Sequence, residues 1–384
     1  MPLFMLLLAI YVGLSKPIKI EVRLAIFCVL LLLIPIAGDL INIVFRSVSS
    51  WSGIETNLRN LLLVYPLMIA VAIRRDLSVF FHYSLVVILC LTALFCSAQL
   101  LGLYALASSH FDGVRSGLWW NPIPFSNAVV FLTAACFASH IVLIRSQKIE
   151  GLFAHFSLAL AVMSSLLIVI LSGTRGSLLG LILLVMIFII VILLNPNVSK
   201  KYRLLLTAAS VFFILVASYT MKEKFFLAFD EAVNHFVSGA DYTAISIRFS
   251  AWSFSIDAFL SNVLFGLGVE GAQSYKEALI AEGIYPAYLI NYHAHSDVLD
   301  AMQRSGIIGL VGLFILYLSP LIMAAFFRCR ATAFYPLLFV TFSAFSVGLT
   351  DTPLRNTIST NAFFLAFFVV LFICLRNADV REKS

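Results

Sequence analysis

Charge is scarce in this chain. Of its 384 residues, 11% are Asp, Glu, Lys or Arg, where soluble domains carry about 25%. Size rules for soluble domains therefore do not apply, and the basic aromatic surface that nucleic acid requires is absent. Cysteine is sparse as well. Cys28, Cys90, Cys96, Cys136, Cys329 and Cys374 show no CxxC spacing, which argues against a disulfide framework and against a thiolate metal site. There is no P-loop, no HExxH, no nucleophile-elbow GxSxG and no paired acidic motif in a polar loop. Those absences exclude the familiar designs for nucleotide hydrolysis, zinc peptidase chemistry and Ser-esterase chemistry, and no metal is expected. Internal repeats, low-complexity tracts and a separable soluble domain are also missing.

What the chain has in abundance is apolar sequence: 62% hydrophobic residues and a mean hydropathy of +1.04. Apolar runs at roughly 2–14, 24–45, 58–73, 78–104, 124–144, 152–172, 177–194, 203–221, 306–326, 332–350 and 358–376 suit the ~17–25 residues that cross hydrocarbon. The fold class predicted is all-α, a polytopic helical bundle with about eleven or twelve transmembrane helices. The first run is short. It lacks a basic segment before it and a small-residue cleavage site after it, and reads as a span and not as a removable signal. Fifteen of the 25 basic residues sit in one alternate set of loops: Lys16, Lys19, Arg23, Arg74, Arg75, Arg145, Lys148, Lys200, Lys201, Arg203, Arg328, Arg330, Arg376, Arg381 and Lys383. That set is cytoplasmic by the positive-inside rule.

One long loop, 222–305, then lies outside and separates spans 1–221 from the C-terminal part, 306–384. It is not a polar linker. Trp252, Ile256, Phe259 and Leu260 recur at helical spacing, as in helices that lie on a membrane surface or roof a cavity. Gly266, Gly268 and Gly271 mark a turn, and 272–282 is predicted as a short helix ended by Gly283 and Pro286.

The stretch from Tyr292 to Gly309 is polar in its first half and apolar in its second. Ser296 is a candidate N-cap, followed by Asp297 and Asp300 near the positive end of a helix dipole. His295 then sits just outside the helix start. There the dipole disfavours imidazolium, leaving a ring that accepts a proton. His293 stands two residues earlier. Gly306 and Gly309 are expected to let another helix approach. A bland alternative is a polar loop with incidental histidines.

Arg175 lies in Ser172-Gly173-Thr174-Arg175-Gly176-Ser177, a turn between two apolar runs. A guanidinium at membrane level is costly unless paired, and its fork suits phosphate oxygens. The surrounding Ser, Thr and Gly residues are expected to leave room for an anion and to offer donors. An arginine snorkelling to the interface is the plainer reading. Arg248, beside Trp252, is a second candidate cation, and Arg59 a third. Arg115, close to Trp119 and Trp120, is a candidate for a headgroup or sugar, although an aromatic belt supplies the same residues. Asp351 is expected to pair with a nearby arginine, while Asp39 and Asp297 are ambiguous. The outer face has no ATP, so an activated donor there must carry its own leaving group. A lipid-linked pyrophosphate sugar does, and fixed arginines stabilise the charge it releases.

His295-Ser296, nine residues, then Gly306-Ile307-Ile308-Gly309 resembles the H[N/S/Q]-x9-G-x-x-G pattern of the bacterial O-antigen ligase family. The turn at Arg175 resembles the Ser-Arg-Gly turn of the wider ligase/polymerase superfamily, as does Arg248 ahead of Leu264-Phe265-Gly266-Leu267-Gly268. The likeness runs in order from about 120 to 350. It implies a membrane glycosyltransferase of the GT-C-like class in the bacterial inner membrane, with the loop periplasmic, no cofactor and no metal. The donor would be an undecaprenyl-pyrophosphate-linked polysaccharide and the acceptor lipid A–core. His295 would be the general base, and Arg175 and Arg248 would hold the pyrophosphate. Arg59, Arg115, Ser296, Asp351, His293 and Trp252 would contribute to substrate binding. An O-antigen polymerase shares the arginine turn, and a lipid-linked glycan flippase is the alternative of a different class.

Overall fold

The computed structural model describes residues 78–100, 121–146, 148–149, 151–194, 198–238, 242–326 and 331–378. They form ten α-helices and two 3-10 turns, without a strand among the described residues. The helices are α1 (Ser78–Leu100), α2 (Pro122–Arg145), α3 (Gly151–Ser172), α4 (Arg175–Leu194), α5 (Lys200–Ser238), α6 (Ala244–Ser261), α7 (Gly268–Ala281), α8 (Asp297–Phe326), α9 (Ala331–Thr350) and α10 (Thr357–Ala378). The 3-10 turns are Ala287–Asn291 and Pro353–Arg355. Seven of the described helices are long and apolar enough to cross a membrane, so the chain is a polytopic helical membrane protein. The spans expected before residue 74 lie outside the described residues.

Two compact units emerge. The first comprises 223–319 and 348–357, and the second takes the described residues up to 222 with 320–347 and 358–378. In the second unit α2 is apolar all round and buried on nearly every face, as a central helix must be. Phe137 of α2 stacks on Phe188 of α4 at 4.5 Å and lies 5.7 Å from Phe339 of α9. Gly180 of α4 sits against Val130, Ser346 and Val347, where a Cβ would come within 3.1 Å of the Ser346 hydroxyl. Small residues earn such places in bilayers because they let helix backbones approach. Polar pairs add direction to the apolar packing: Thr133 Oγ1 to Ser165 Oγ at 2.7 Å, His82 Nδ1 to Ser139 Oγ at 2.7 Å, and His140 Nε2 to His155 Nδ1 at 3.3 Å.

In the first unit α6 opens with a capping box between Thr243 and Ser246. Its Ala251, Phe254 and Ala258 meet Leu289, with Tyr275, Leu279, Tyr285, Tyr288 and Tyr292 packed around them. The buried face therefore runs through Ile247, Ala251, Phe254 and Ala258. The stripe singled out from sequence points the other way, with Ile256 and Leu260 exposed. Helix α7 starts four residues before the expected 272–282 and ends at Ala281, with Glu282 as its C-cap and then Gly283 at φ +74°. The long loop itself begins later than expected. Helix α5 continues through Phe225, Phe226 and Phe229 to Ser238, because neither glycine nor proline interrupts 222–238.

Candidate active site

His295 stands immediately before α8 with φ +48°. That left-handed conformation is uncommon for a residue with a Cβ, and strain of this kind collects at functional positions. Two contacts hold the chain just after it: Asp297 N–H donates to the Asp351 carbonyl at 3.1 Å, and the Ser296 hydroxyl donates to the Gly348 carbonyl at 3.4 Å. The end of α9 and the residue after it are thus fastened along the start of α8. Ser296 is at the N-cap position, its carbonyl accepting from Asp300 N–H at 2.9 Å.

This fastening places Asp351 opposite two imidazoles. His295 Nδ1 lies 3.7 Å from Asp351 Oδ1 and is buried without a hydrogen bond. His293 Nε2 lies 4.0 Å from the same oxygen. The two rings face each other at 4.1 Å between centroids. Burial, with His295 and Arg355 adding to it, lowers the His293 pKa to about 4, although Asp351 and Asp300 pull upwards. The nitrogens of both rings and the carboxylate oxygen lie within 4.8 Å of one another.

Beneath the pair runs a buried polar network. Asp300 Oδ1 accepts from Arg355 at 3.2 Å and from Gln303 at 3.0 Å, and its Oδ2 accepts from Arg304 at 3.2 Å. Gln303 also accepts from the Ser255 hydroxyl at 3.0 Å, joining α6 to the network. From beyond the Gly306 break in α8, the Tyr317 phenol donates to Asp297. The two acids that were expected as dipole partners are therefore hydrogen-bonding hubs. Asp351 faces the histidines, and the arginine of its turn, Arg355, reaches Asp300 instead. Lys276 of α7 is nearly buried, lies 5.1 Å over the Phe254 ring and donates to the Tyr292 carbonyl at 2.8 Å, at the base of the histidine loop. Burial lowers its pKa; Arg355 adds to this and Asp300 opposes it.

Gly306 breaks α8, with φ +61° and ψ −148°. Its partner is not another helix, as expected, but the irregular segment after α6. Ile307 N–H donates to Val263 O at 2.8 Å, and Leu267 N–H to Gln303 O at 2.8 Å. A Cβ on Gly306 would sit 2.5 Å from the Val263 carbonyl oxygen. This glycine locks the site-bearing half of α8 onto the α6 side of the first unit.

Arg248 and Trp252 are half-buried and four residues apart on α6, hence on one face. The Trp252 ring meets Phe249 at 5.6 Å, and its indole nitrogen is buried without a hydrogen-bond partner. In the second unit Arg175 is the first residue of α4 and half-buried, after Gly173 with φ +66°. The hydroxyls around it are engaged internally, contrary to their expected role as anion donors. Ser172 bonds Thr174 at 2.8 Å, Thr174 donates to Ser126 at 2.7 Å, Ser126 meets Ser177 at 2.8 Å, and Ser177 donates to Asn127 at 2.6 Å. The chain of hydroxyls fixes the turn against the start of α2. Arg59, Arg115, Asp39, Trp119 and Trp120 lie outside the described residues.

Sequence reasoning overlooked Lys276, Arg304, Tyr317 and Arg355 as members of the site. Only Asp300 and Arg304, four apart, carried a readable signal. Comparison with curated proteins gives no match. Comparison with protein families gives a match to the family described as O-antigen ligase over residues 158–314. That range includes Arg175, Arg248, the two histidines, Asp300, Gln303, Arg304 and the glycine pair, whereas Asp351 and Arg355 lie beyond it. Over that segment the chain is similar to the O-antigen ligase family.

Proposed function

We propose that the chain is an O-antigen ligase. It moves a polysaccharide from undecaprenyl pyrophosphate to lipid A–core at the periplasmic leaflet of the inner membrane. The observation that carries this reading is the buried, unbonded Nδ1 of His295 facing Asp351 at 3.7 Å. A small closure converts that approach into a hydrogen bond from Nδ1–H to the carboxylate, which leaves Nε2 as the acceptor. The acceptor hydroxyl gives its proton to Nε2 as its oxygen attacks the anomeric carbon from the face opposite the leaving group. The sugar–phosphate bond breaks, the configuration inverts and undecaprenyl pyrophosphate departs with the electron pair. Arg175 and Arg248 hold that pyrophosphate. Both stay protonated, so they serve as fixed electrostatic stabilisers and not as bases. The unbonded indole N–H of Trp252, on the face it shares with Arg248, suits a sugar or phosphate oxygen. No step requires a nucleotide or a metal.

The test is a reconstitution of purified protein with lipid-linked glycan and lipid A–core, without nucleotide and with chelator. Polymer on the core lipid is the expected product. Glycan that flips leaflets without transfer would defeat the reading. Because polymerases share the arginine turn, a product elongated on the carrier lipid would reassign the chain to polymerisation.

A further inference from the structure

We infer that His293, His295 and Asp351 form a binding site for a divalent transition-metal ion of the zinc class, and that occupancy switches transfer off. The switching rests on the proposed role of His295 as base; the binding does not.

Three observations support the site. The donors are two imidazole nitrogens and one carboxylate oxygen, all within 4.8 Å of one another. Ligands held at about 2.0–2.2 Å from one zinc ion stand some 3–4 Å apart. The separations from Asp351 Oδ1, 3.7 Å to His295 and 4.0 Å to His293, fall in that range. Next, His295 Nδ1 is buried and makes no hydrogen bond, which is expensive for a polar atom unless something else satisfies it. An ion beside Nδ1 would satisfy it. Last, the His293 side chain is 39% exposed, against 14% for His295. The outer ring is the one with freedom to turn and close the set, and it leaves an entry path from solvent.

The donor set selects the metal. Two imidazoles and one carboxylate suit Zn²⁺, Co²⁺, Ni²⁺ or Cu²⁺, whereas Mg²⁺ and Ca²⁺ favour all-oxygen sites. With three protein ligands, at least one position stays open to water. A metal on Nδ1 also takes the place of the Nδ1–H that Asp351 would orient, and its charge opposes formation of imidazolium. The base is then disabled.

The experiment uses the full chain, free of a histidine tag, stripped with chelator and held in nanodiscs. Co²⁺ is titrated while its visible d–d absorption is followed, and Zn²⁺ is then added as competitor. One equivalent should give a four- or five-coordinate spectrum, and Zn²⁺ should erase it. His293→Ala and Asp351→Asn should each weaken binding at least tenfold. Absence of a spectrum, or one unchanged in both variants, would overturn the site. In the transfer assay, one equivalent of Zn²⁺ should inhibit and chelator should restore. Zn²⁺ that binds without slowing transfer would overturn the switch. So would activity that is lost on chelation and regained with Zn²⁺. A metal spectrum from a protein that transfers no glycan under any condition would support the site and refute the ligase assignment.

Discussion

Asp300 offers the sharpest test of how the site is held. Its buried carboxylate accepts from Arg304 and Arg355, each at 3.2 Å, and from Gln303 at 3.0 Å. Asp300→Asn preserves the shape and removes the charge. Breaking a buried ion pair costs about 3–5 kcal/mol. Here the arginines are partly wet, with 39% of the Arg355 side chain and 21% of Arg304 exposed. Solvent screens what they lose, so the expected cost is about 2–3 kcal/mol. Arg355→Met should cost about 1 kcal/mol, since its charge can be re-solvated. The double variant should lose less than the sum by about 1 kcal/mol, because the contact can be lost only once. Unfolding in graded denaturant, with the protein in mixed micelles, measures all four corners of the cycle. A single-variant loss below about 0.5 kcal/mol, the scale of ordinary surface changes, would refute the hub. Strict additivity would refute the Arg355 contact. Function follows from the same geometry. Arg355 closes the 3-10 turn just after Asp351, and Asp300 lies one turn into the helix that His295 precedes. The pair therefore sets the His295–Asp351 separation, and Asp300→Asn should slow glycan transfer while leaving donor binding intact.

Three further outcomes are expected. His295→Ala should abolish transfer in the reconstituted assay while lipid-linked donor still binds; lost donor binding with normal turnover at saturation would contradict the base. Arg175→Lys should transfer poorly, because a point charge cannot reproduce the two-pronged grip of a guanidinium on phosphate, and full activity would remove Arg175 from the pyrophosphate site. Gly306→Ala must keep a positive φ and push a Cβ against the Val263 carbonyl oxygen at 2.5 Å. Backbone strain of about 1–3 kcal/mol and overpacking of similar size add, so the variant should melt well below the parent; an unchanged melting curve would show that the break in α8 is dispensable.

The helices were legible where hydropathy alone decides. Expected spans at 124–144, 152–172 and 358–376 appear as Pro122–Arg145, Gly151–Ser172 and Thr357–Ala378. The 203–221 span was placed correctly and ended too early, because hydropathy reports where a helix leaves hydrocarbon and not where it stops. The apolar stripe of α6 was legible, but its buried face was not. Near a bilayer the large apolar side chains need not face the protein, while Ala251, Ser255 and Ala258 allow close approach. Gly306 was recognised, but its partner was not, since a positive φ leaves no trace in composition. His295 was placed just outside its helix start from the Ser296 N-cap candidate and the two acids that follow it.

What one sequence could not reveal is the meeting of two distant turns. Asp351 and His295 are brought together by Asp297 N–H on the Asp351 carbonyl and by Arg355 on Asp300. Neither pairing is local, and each alone looks like an ordinary surface contact. Their joint effect is to hold an unbonded nitrogen a short step from a carboxylate. That arrangement is costly at rest, because His295 combines a left-handed backbone with an unsatisfied buried atom. Stability alone would not favour such a residue. A role in which Nδ1 gains its partner only as the ring takes a proton or a metal accounts for both costs. Nδ1 would then orient the proposed base or hold the proposed ion, but not both at once, so any substitution that improves metal binding at Nδ1 should slow transfer.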